Sequence, residues 1–337
     1  MIDTQTNLSI KNAYLRVGIF LCFFILGATA CTAPLTKQLE FERPLDLPAQ
    51  AQIENVPFFP QEAYHCGPST LAMAMNFYGR ETNPSDVAKD VFIPNRKGSF
   101  QIEMKAAVRK RGMLAYVLTP ELVYLLAEVS VGHPVVVLQN NSIKLYPVWH
   151  YATMIGYDLD AQTVTLHTGV NSSYTLSMHT FEHTWNRAGN WALVVLPTDQ
   201  LPNDRNLENV LQAAVDLEEV GKIQAANETY QNINKRWPDN LVAVMGTANT
   251  FLRLQQPEQA TPRYLRAIEL KPNKADIYNN LAYSLMGQSC SESALNSINC
   301  AITLEPTNAE FKDSLQEISA AGNGNNTQNC PTIQCTK

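Results

Sequence analysis

A cysteine and a glutamine stand in this sequence at a spacing that suits acyl-transfer chemistry. Cys66 directly precedes Gly67 and Pro68, and proline is favoured in the first turn of a helix. A thiol at a helix N-terminus faces free backbone N–H groups and the positive end of the helix dipole, which stabilise a thiolate. Gln61, five residues earlier, can aim its side-chain amide at the same place and complete an oxyanion hole with the Cys66 N–H. We therefore predict a nucleophilic Cys66 with a lowered pKa.

His150 is the histidine best placed to act as the base for this thiol. It follows Trp149 and opens a strand-like run that continues to Tyr157. Other histidines adjoin the thiol, occupy a turn or lie in a polar stretch: His65, His133, His179 and His183. The structural alternatives are a hydrogen-bonded histidine at a strand end and an inert core thiol.

The motifs Q-x4-C-G-P at 61–68 and W-H-Y-A at 149–152 together resemble the family of bacteriocin-processing (double-glycine) peptidases. The resemblance implies a papain-like fold, in which a helix bearing the thiol packs against an antiparallel sheet bearing the histidine. It implies Gln61 as the oxyanion-hole residue, Cys66 as the nucleophile and His150 as the general base. It also implies peptide-bond cleavage without a metal or cofactor.

The sequence departs from this family at the residue that orients the histidine. Relatives place an Asp or Asn after the histidine to hold the imidazole tautomer, whereas residues 165–169 read T-L-H-T-G and contain no carboxylate. We name His167 as the first candidate for this role, through a neutral ring nitrogen. Thr168 and a backbone carbonyl are the alternatives. The gap permits a Cys–His dyad or an enzyme that has lost hydrolysis.

Helices precede strands in residues 53–198, which predicts an α+β papain-like domain rather than alternating βαβ units. Helix-like stretches are 66–78, 101–111 and 121–129, and strand-like runs are 134–139, 151–157, 163–168 and 191–196. Residues 31–52 lack periodicity and contain Pro and Gln. We predict that they form a tether in front of the domain.

An internal repeat follows the α+β domain. Pro238, Pro272 and Pro306 are 34 residues apart, and small residues recur at matching positions: Ala214, Ala248 and Ala282, then Ala226, Ala260 and Ala294. This period resembles the tetratricopeptide repeat, and it narrows the resemblance to exported peptidases that carry such repeats. We predict an all-α domain over 206–318, with units of about 207–240, 241–274 and 275–308 plus a capping helix. Residues 319–337 are predicted to be a flexible tail.

The first thirty residues predict export. A basic start and a short apolar run precede Ala28-Thr29-Ala30-Cys31, which resembles a bacterial lipobox with Ala28 where leucine is usual. We interpret residues 1–30 as a lipoprotein signal peptide and Cys31 as the lipidation site. An ordinary signal peptide that ends at Ala30 is the alternative. Thr32 gives no aspartate-type retention signal, which favours the periplasmic face of the outer membrane.

Composition and cysteine content fit an exported protein of two domains. The 337 residues are 45% apolar and 17% charged with a net charge of −6, which argues against a nucleic-acid binder. Cys290, Cys300, Cys330 and Cys335 are able to form two bridges, whose connectivity the spacing leaves open. Cys66 is then left over. The sequence shows no convincing metal-ligand spacing and no phosphate loop, so we predict no metal and no cofactor.

The working hypothesis is an exported, lipid-anchored cysteine peptidase whose repeats recruit a protein partner or substrate. The predicted partners are a protein or peptide substrate, a protein bound by the repeats and a membrane reached through the lipid. One alternative is a degenerate papain-like module in a protein-interaction scaffold, which the missing carboxylate favours. Another is a cell-wall amidase or transpeptidase that uses the same thiol.

Overall fold

The computed structural model describes residues 33–41, 46–61, 64–204, 206–321 and 330–335. Within these residues, a seven-stranded antiparallel sheet forms the centre of the first domain. Its strands are β1 (Gln50–Gln52), β2 (Leu114–Val117), β3 (Val135–Asn140), β4 (Trp149–Asp158), β5 (Thr163–Thr168), β6 (Asn171–Ser177) and β7 (Ala192–Leu196). The order across the sheet is β2-β7-β3-β4-β5-β6, and β1 pairs with the C-terminal part of β4.

Helices cover both faces of this sheet. They are α1 (Pro34–Phe41), α2 (Cys66–Phe77), α3 (Pro84–Val91), α4 (Gln101–Lys110), α5 (Leu122–Ser130) and α6 (Met178–Asn186). One face packs against α2, α3 and α4, and the other packs against α5 and α6. Helices on two sides of an antiparallel sheet confirm the predicted α+β class. None of the helices formed by the described residues has the length and apolar content of a bilayer span.

Strand β3 is apolar over most of its length because each face of the sheet is covered. Val135 and Val137 pack into the core beneath α5 and α6, whereas Val136 and Leu138 pack into the core beneath α2. Alternate residues of a strand point to opposite faces, so a strand buried on both faces needs apolar residues at successive positions. Strand β4 lies beside β3 in the middle of the sheet, where it pairs with β3 on one side and β5 on the other.

Residues 33–41 and 46–52 do not form the free tether that the sequence predicted. Helix α1 docks on α6, where the buried carboxylate of Glu182 accepts hydrogen bonds from Leu35 N at 3.0 Å and Thr36 N at 2.8 Å. The first N–H groups of a helix lack partners within the helix, and a carboxylate satisfies them well. The tether prediction failed because this partner lies almost 150 residues further along the chain.

The second domain is a run of helices that confirms the predicted all-α repeat architecture. The helices are α7 (Leu207–Glu219), α8 (Ile223–Arg236), α9 (Leu241–Arg253), α10 (Pro257–Leu270), α11 (Ala275–Gly287), α12 (Ser291–Leu304) and α13 (Ala309–Ala321). They pack as three consecutive pairs, and α13 covers the end of the last pair. The small residues seen in the sequence, such as Ala248 and Ala282, are fully buried at these helix crossings.

The first helix pair shares a hydrophobic core with the sheet. Val210 and Leu217 of α7 belong to the same buried cluster as Leu114 and Tyr116 of β2. An ion pair between Arg109 of α4 and Asp216 of α7, both largely buried, joins the two domains at the edge of this core. The repeats are therefore fixed to the first domain by packing and not only by the linking chain.

Residues 330–335 are not part of a flexible tail. Disulfides join Cys290 to Cys330 and Cys300 to Cys335, so the segment runs along α12. Ile333 is buried in the core of the repeats between the two bridges. The sequence left the pairing open because four cysteines allow several connectivities, and the fold of the repeats selects one of them.

Candidate active site

Cys66 is the first residue of α2. The chain enters this helix through Tyr64, whose φ of 66° lies in the left-handed region that is costly for a bulky side chain. The Ser69 N–H donates to His65 O at 3.1 Å and closes the first turn. The sequence prediction that Cys66 stands at a helix N-terminus agrees with this geometry.

Burial raises the pKa of the Cys66 thiol above its ordinary value of 9.0, so the predicted lowering is wrong. The backbone N–H groups of Tyr151, Gly67 and Cys66 itself lower the pKa, but the lost solvation outweighs them. The sequence argument counted the helix terminus and had no measure of how deeply the thiol is packed. At neutral pH the thiol is therefore protonated.

His150 stands in β4 directly before Tyr151, whose N–H reaches the Cys66 sulfur. Its Nε2 lies 2.6 Å from Thr168 Oγ1. Burial lowers the pKa of His150 below 6.5, which leaves a neutral imidazole at pH 7. Among the hydrogen bonds of the described residues, none joins the Cys66 sulfur to His150 directly. The free protein thus holds a neutral thiol and a neutral base on neighbouring elements.

Among the hydrogen bonds of the described residues, none joins His167 to His150. Its Nε2 lies 3.1 Å from Val56 O, and its ring packs edge-on against Phe58 with centroids 5.3 Å apart. Adjacent residues of a strand point to opposite faces, and β5 places Thr168 rather than His167 on the side of His150. The first candidate for the orienting residue is therefore wrong, and the alternative Thr168 makes the contact.

Gln61 is fixed to the sheet beside the thiol by three hydrogen bonds. Its backbone N–H donates to Gly169 O at 2.9 Å, and its Oε1 accepts from Gly169 N at 3.1 Å. Its Nε2 lies 3.3 Å from Tyr151 O, which uses one of the two N–H groups of the amide. The remaining N–H is the one available to a ligand. The structure therefore holds this side chain in one orientation against β4 and β5.

Cys66, His150 and Gln61 line one cavity of about 590 Å³. Its far wall is formed by residues 96–101, and the Tyr151 hydroxyl donates to Ser99 O at 3.2 Å to hold that wall. Gly67 permits the close approach, because a Cβ at this position would lie 2.8 Å from Ser99 Oγ. A volume of this size lies within the usual range of ligand-binding clefts.

The mouth of the cavity is rimmed by exposed apolar side chains. Tyr64, Val148 and Trp149 line the cavity and are 56%, 57% and 54% exposed. Phe100, on the opposite wall, is 48% exposed. The entrance to the site is therefore both open and apolar.

Two family profiles match the chain, each over a different part. Residues 46–193 match the Peptidase_C39 like family, and residues 248–289 match the tetratricopeptide repeat. The first domain thus matches the C39-like peptidase family, and we call it the C39-like domain. The matched residues include Gln61, Cys66, His150 and Thr168, so the whole candidate site lies within the C39-like domain.

Solved structures resemble each domain separately. One from Bacillus anthracis, described as a C39-like peptidase, is 18% identical, covers 44% of this chain and 98% of that chain, and has a TM-score of 0.39. The peptidase domain of Streptococcus ComA is 16% identical, covers 42% and 99%, and has a TM-score of 0.36. The second TPR domain of human RPAP3, in complex with an HSP70 peptide, is 19% identical, covers 33% and 92%, and has a TM-score of 0.32. A search of curated proteins found no match.

The other histidines of the C39-like domain have contacts away from the thiol. His65 packs edge-on against Phe92 with centroids 5.0 Å apart, and His133 Nδ1 lies 2.6 Å from the buried carboxylate of Glu128. His179 and His183 face each other on α6 with Nε2 atoms 3.3 Å apart. Among the described residues, no group of three or more His, Cys, Asp or Glu side chains could hold a metal ion.

Sequence reasoning did not single out Tyr151 and Ser99, which complete the site of the C39-like domain. The Tyr151 N–H lowers the pKa of the Cys66 thiol, and the Tyr151 hydroxyl donates to Ser99 O on the opposite wall. Ser99 stands against Gly67 at the start of α2. The sequence indicated only that Tyr151 directly follows His150. Contacts made by backbone atoms cannot be predicted from residue type, because every residue has the same backbone groups.

Proposed function

We propose that this protein is a cysteine peptidase that hydrolyses peptide bonds, with Cys66 as nucleophile and His150 as general base. The observation that carries this proposal is that three separate segments bring Cys66, His150 and Gln61 to one open cavity. Because burial keeps both the thiol and the imidazole neutral, the thiol proton passes to His150 as the sulfur attacks the carbonyl carbon. An ion pair formed beforehand is not required.

The attack forms a carbon–sulfur bond and moves one electron pair of the carbonyl onto its oxygen. The Cys66 N–H and the second N–H of the Gln61 amide bind this oxyanion. His150 then donates its proton to the leaving amine as the carbon–nitrogen bond breaks. Water attacks the thioester with His150 again acting as base, and the acid product leaves with the thiol restored.

Thr168 supports the base in this scheme. With the proton of the neutral imidazole on Nε2, that N–H donates to Thr168 Oγ1 over the observed 2.6 Å. The lone pair of Nδ1 is then left to accept the thiol proton. Thr168 would therefore be a positioning residue that selects the tautomer, in the place where C39-like relatives are expected to have a carboxylate or amide.

The repeats and the N-terminus complete the proposal. The tetratricopeptide domain recruits a protein partner or the substrate itself, and its match to a repeat profile supports this. Cys31, outside the described residues, carries the lipid that places the protein at the cell envelope, on the periplasmic face of the outer membrane. Expression in a Gram-negative host with labelled fatty acid tests the anchor, because Cys31→Ser should abolish both labelling and outer-membrane fractionation.

The enzymatic test is hydrolysis of an extended peptide library by residues 32–337, a chain that contains every described residue. We expect Cys66→Ala to abolish cleavage, His150→Ala to lower kcat by roughly 10²–10⁴-fold, and Gln61→Ala to lower it by roughly 10²–10³-fold. His179→Ala is the matched control, because this histidine lies outside the cavity. Cleavage that persists in Cys66→Ala would refute the assignment.

One observation favours the second candidate, a binding module that no longer hydrolyses peptides. His150 is bonded to Thr168 and not to the Cys66 sulfur. In that case the unmodified protein and Cys66→Ala should bind the same peptide library equally well. Neither protein should cleave it. Crosslinking mass spectrometry on the bound peptides would locate them in the cavity or on the repeats.

A further inference from the structure

The loop between β3 and β4 exposes an unusual amount of apolar surface. Residues 143–149, here named the apolar hairpin, are all exposed over seven consecutive positions. Five of them are large and apolar, with exposed fractions from 54% to 75%: Ile143, Leu145, Tyr146, Val148 and Trp149. Their combined exposed area is on the order of 600 Å², as large as the largest apolar patch of a typical soluble monomer.

The apolar hairpin is held out from the domain by a defined set of hydrogen bonds. Tyr146 N donates to Ile143 O at 3.2 Å and closes a tight turn. At the base, Asn140 Oδ1 accepts from Ser142 N and from Val148 N, both at 3.0 Å. The apolar side chains are thus displayed by an ordered turn, so that ordering this segment adds little to the entropic cost of binding.

The charge near the apolar hairpin is positive. Lys144 is the one charged residue within it, at the centre of the turn. Arg96 and Lys97 stand on the opposite side of the cavity mouth, and none of the described residues that line the cavity carries a carboxylate. A cationic apolar face is notable in a chain whose net charge is −6. It complements a surface that is both apolar and negatively charged.

We infer that the apolar hairpin docks this protein on an anionic lipid bilayer. Trp, Tyr and aliphatic residues beside a cation are the composition of segments that lie at a membrane interface. A tight turn displays its side chains in diverging directions, which suits insertion into a fluid surface better than binding in the groove of one partner. The bilayer is therefore the occupant that fits both the shape and the charge.

The position of α1 indicates that the lipid anchor and the apolar hairpin face the same membrane, in an argument that rests on the proposed lipid anchor. Glu182 of α6 accepts hydrogen bonds from Leu35 and Thr36, which are four and five residues after Cys31. Arg187, which directly follows the last residue of α6, donates to Asn140 O at the base of the apolar hairpin at 3.1 Å. The side chains of Glu182 and Arg187 are separated by about 7.5 Å along the helix axis. Lipid and apolar hairpin would thus contact the same membrane, and stable attachment generally takes two such signals.

Docking in this way turns the cavity mouth towards the bilayer. Val148 and Trp149 belong both to the apolar hairpin and to the lining of the cavity. The peptides that reach Cys66 would then be those that leave or lie on the membrane surface. This consequence deepens the proposed peptidase function, whereas membrane docking itself does not depend on catalysis.

The test is co-sedimentation of residues 32–337, without lipid modification, with vesicles of phosphatidylcholine alone and of phosphatidylcholine with an equal part of phosphatidylglycerol. We expect binding to the mixed vesicles, weaker binding to the neutral ones, and a blue shift of tryptophan emission that Trp149→Phe removes. Leu145→Asp and Tyr146→Ser should each weaken binding to the mixed vesicles at least tenfold. Val242→Asp, at a residue of the repeats that is 53% exposed, is the matched control.

Two results would overturn the inference. The first is a failure of the unmodified protein to sediment with either vesicle, which would point to a protein partner for the apolar hairpin. The second is undiminished binding by both hairpin variants when circular dichroism shows them folded. Cys66→Ala should bind vesicles like the unmodified protein, so a failed peptidase assay and a failed docking assay are independent results.

Discussion

The thiol of Cys66 and the imidazole of His150 face the same energetic situation. Burial removes more solvation from the charged form of each group than the surrounding protein groups replace. Each group is therefore held in its uncharged form. Backbone N–H groups around the sulfur offset part of this loss and would stabilise a thiolate once it forms. In the proposed peptidase mechanism the proton is therefore transferred during attack, and the pH dependence of Cys66 reactivity should distinguish this from a permanent ion pair.

Alkylation of Cys66 by iodoacetamide should therefore be slow at neutral pH. Only the thiolate reacts, and a raised pKa keeps it scarce, so the rate should climb about tenfold per pH unit and level off only above pH 9.0. Labelling rates measured from pH 6 to 11 give the titration directly. The same protein in denaturant, with its disulfides intact, is the control and should level off earlier. A plateau below pH 8 in the folded protein would show a preformed ion pair.

Removing the Thr168 hydroxyl should slow hydrolysis by affecting the base. We expect Thr168→Val to lower kcat by roughly 10–100-fold with little change in KM, because the imidazole loses the partner that fixes its tautomer. Thr168→Ser should restore most of the rate. The acid limb of kcat/KM should lie below pH 6.5 in the unmodified protein and shift in Thr168→Val. Equal rates in all three proteins would remove Thr168 from the mechanism.

Residue types predicted the participants of the site but not their contacts. Gln61, Cys66 and His150 were recognisable because each carries a chemical group that acyl transfer needs. The choice between His167 and Thr168 depends on the register of β4 against β5, which contains a shift between Met154 and Gly156. A shift of one residue exchanges the two faces of a strand, and no single-sequence pattern fixes it.

At the scale of elements, the buried segments were predictable and the exposed or short ones were not. Helices α2, α4 and α5 and strands β3, β4, β5 and β7 lie within about two residues of their predicted bounds, because burial imposes an apolar pattern. Strand β6 was missed because it is a largely exposed edge strand with polar residues. Helix α3 had a usable signal, since Asn83 caps it by accepting from Asp86 N and Pro84 stands at its start.

Loss of the Glu182 carboxylate should release α1 from the domain. Glu182 is 1% exposed and accepts three hydrogen bonds from Leu35 and Thr36, so Glu182→Ala should destabilise folding by roughly 1–3 kcal/mol. Urea unfolding measures the free energy, and hydrogen exchange at the amides of Leu35 and Thr36 reports the release. Glu208→Ala, at an exposed position of α7, is the control. Unchanged protection of these two amides would contradict the docking of α1.

At the scale of the whole molecule, the boundary between the two sequence domains is not a boundary in the core. The apolar cluster under β2 continues through Val210 and Leu217 of α7 into the second helix of the first pair. The sequence repeat marks where the helices begin but carries no information on what their outer face packs against. The first helix pair is therefore a structural part of the C39-like domain as well as the first unit of the repeat domain.

Two truncations test this shared core. A chain of residues 32–240 keeps the first helix pair, whereas 32–204 removes it and uncovers Leu114 and Tyr116, which are at most 1% exposed. We expect the shorter chain to lose on the order of 5 kcal/mol of unfolding free energy, from the lost burial of several apolar side chains. Urea titrations of both chains provide the comparison. Equal midpoints would show that the C39-like domain is self-sufficient.

The two disulfide bridges along α12 also determine how many free thiols each chain contains. Beyond residue 32 the sequence has five cysteines, and the bridges occupy four of them: Cys290, Cys300, Cys330 and Cys335. A chromogenic thiol reagent at alkaline pH should therefore release one equivalent of colour per oxidised chain, all of it from Cys66. This thiol count gives the concentration of chains in which Cys66 is reduced, before any substrate is known.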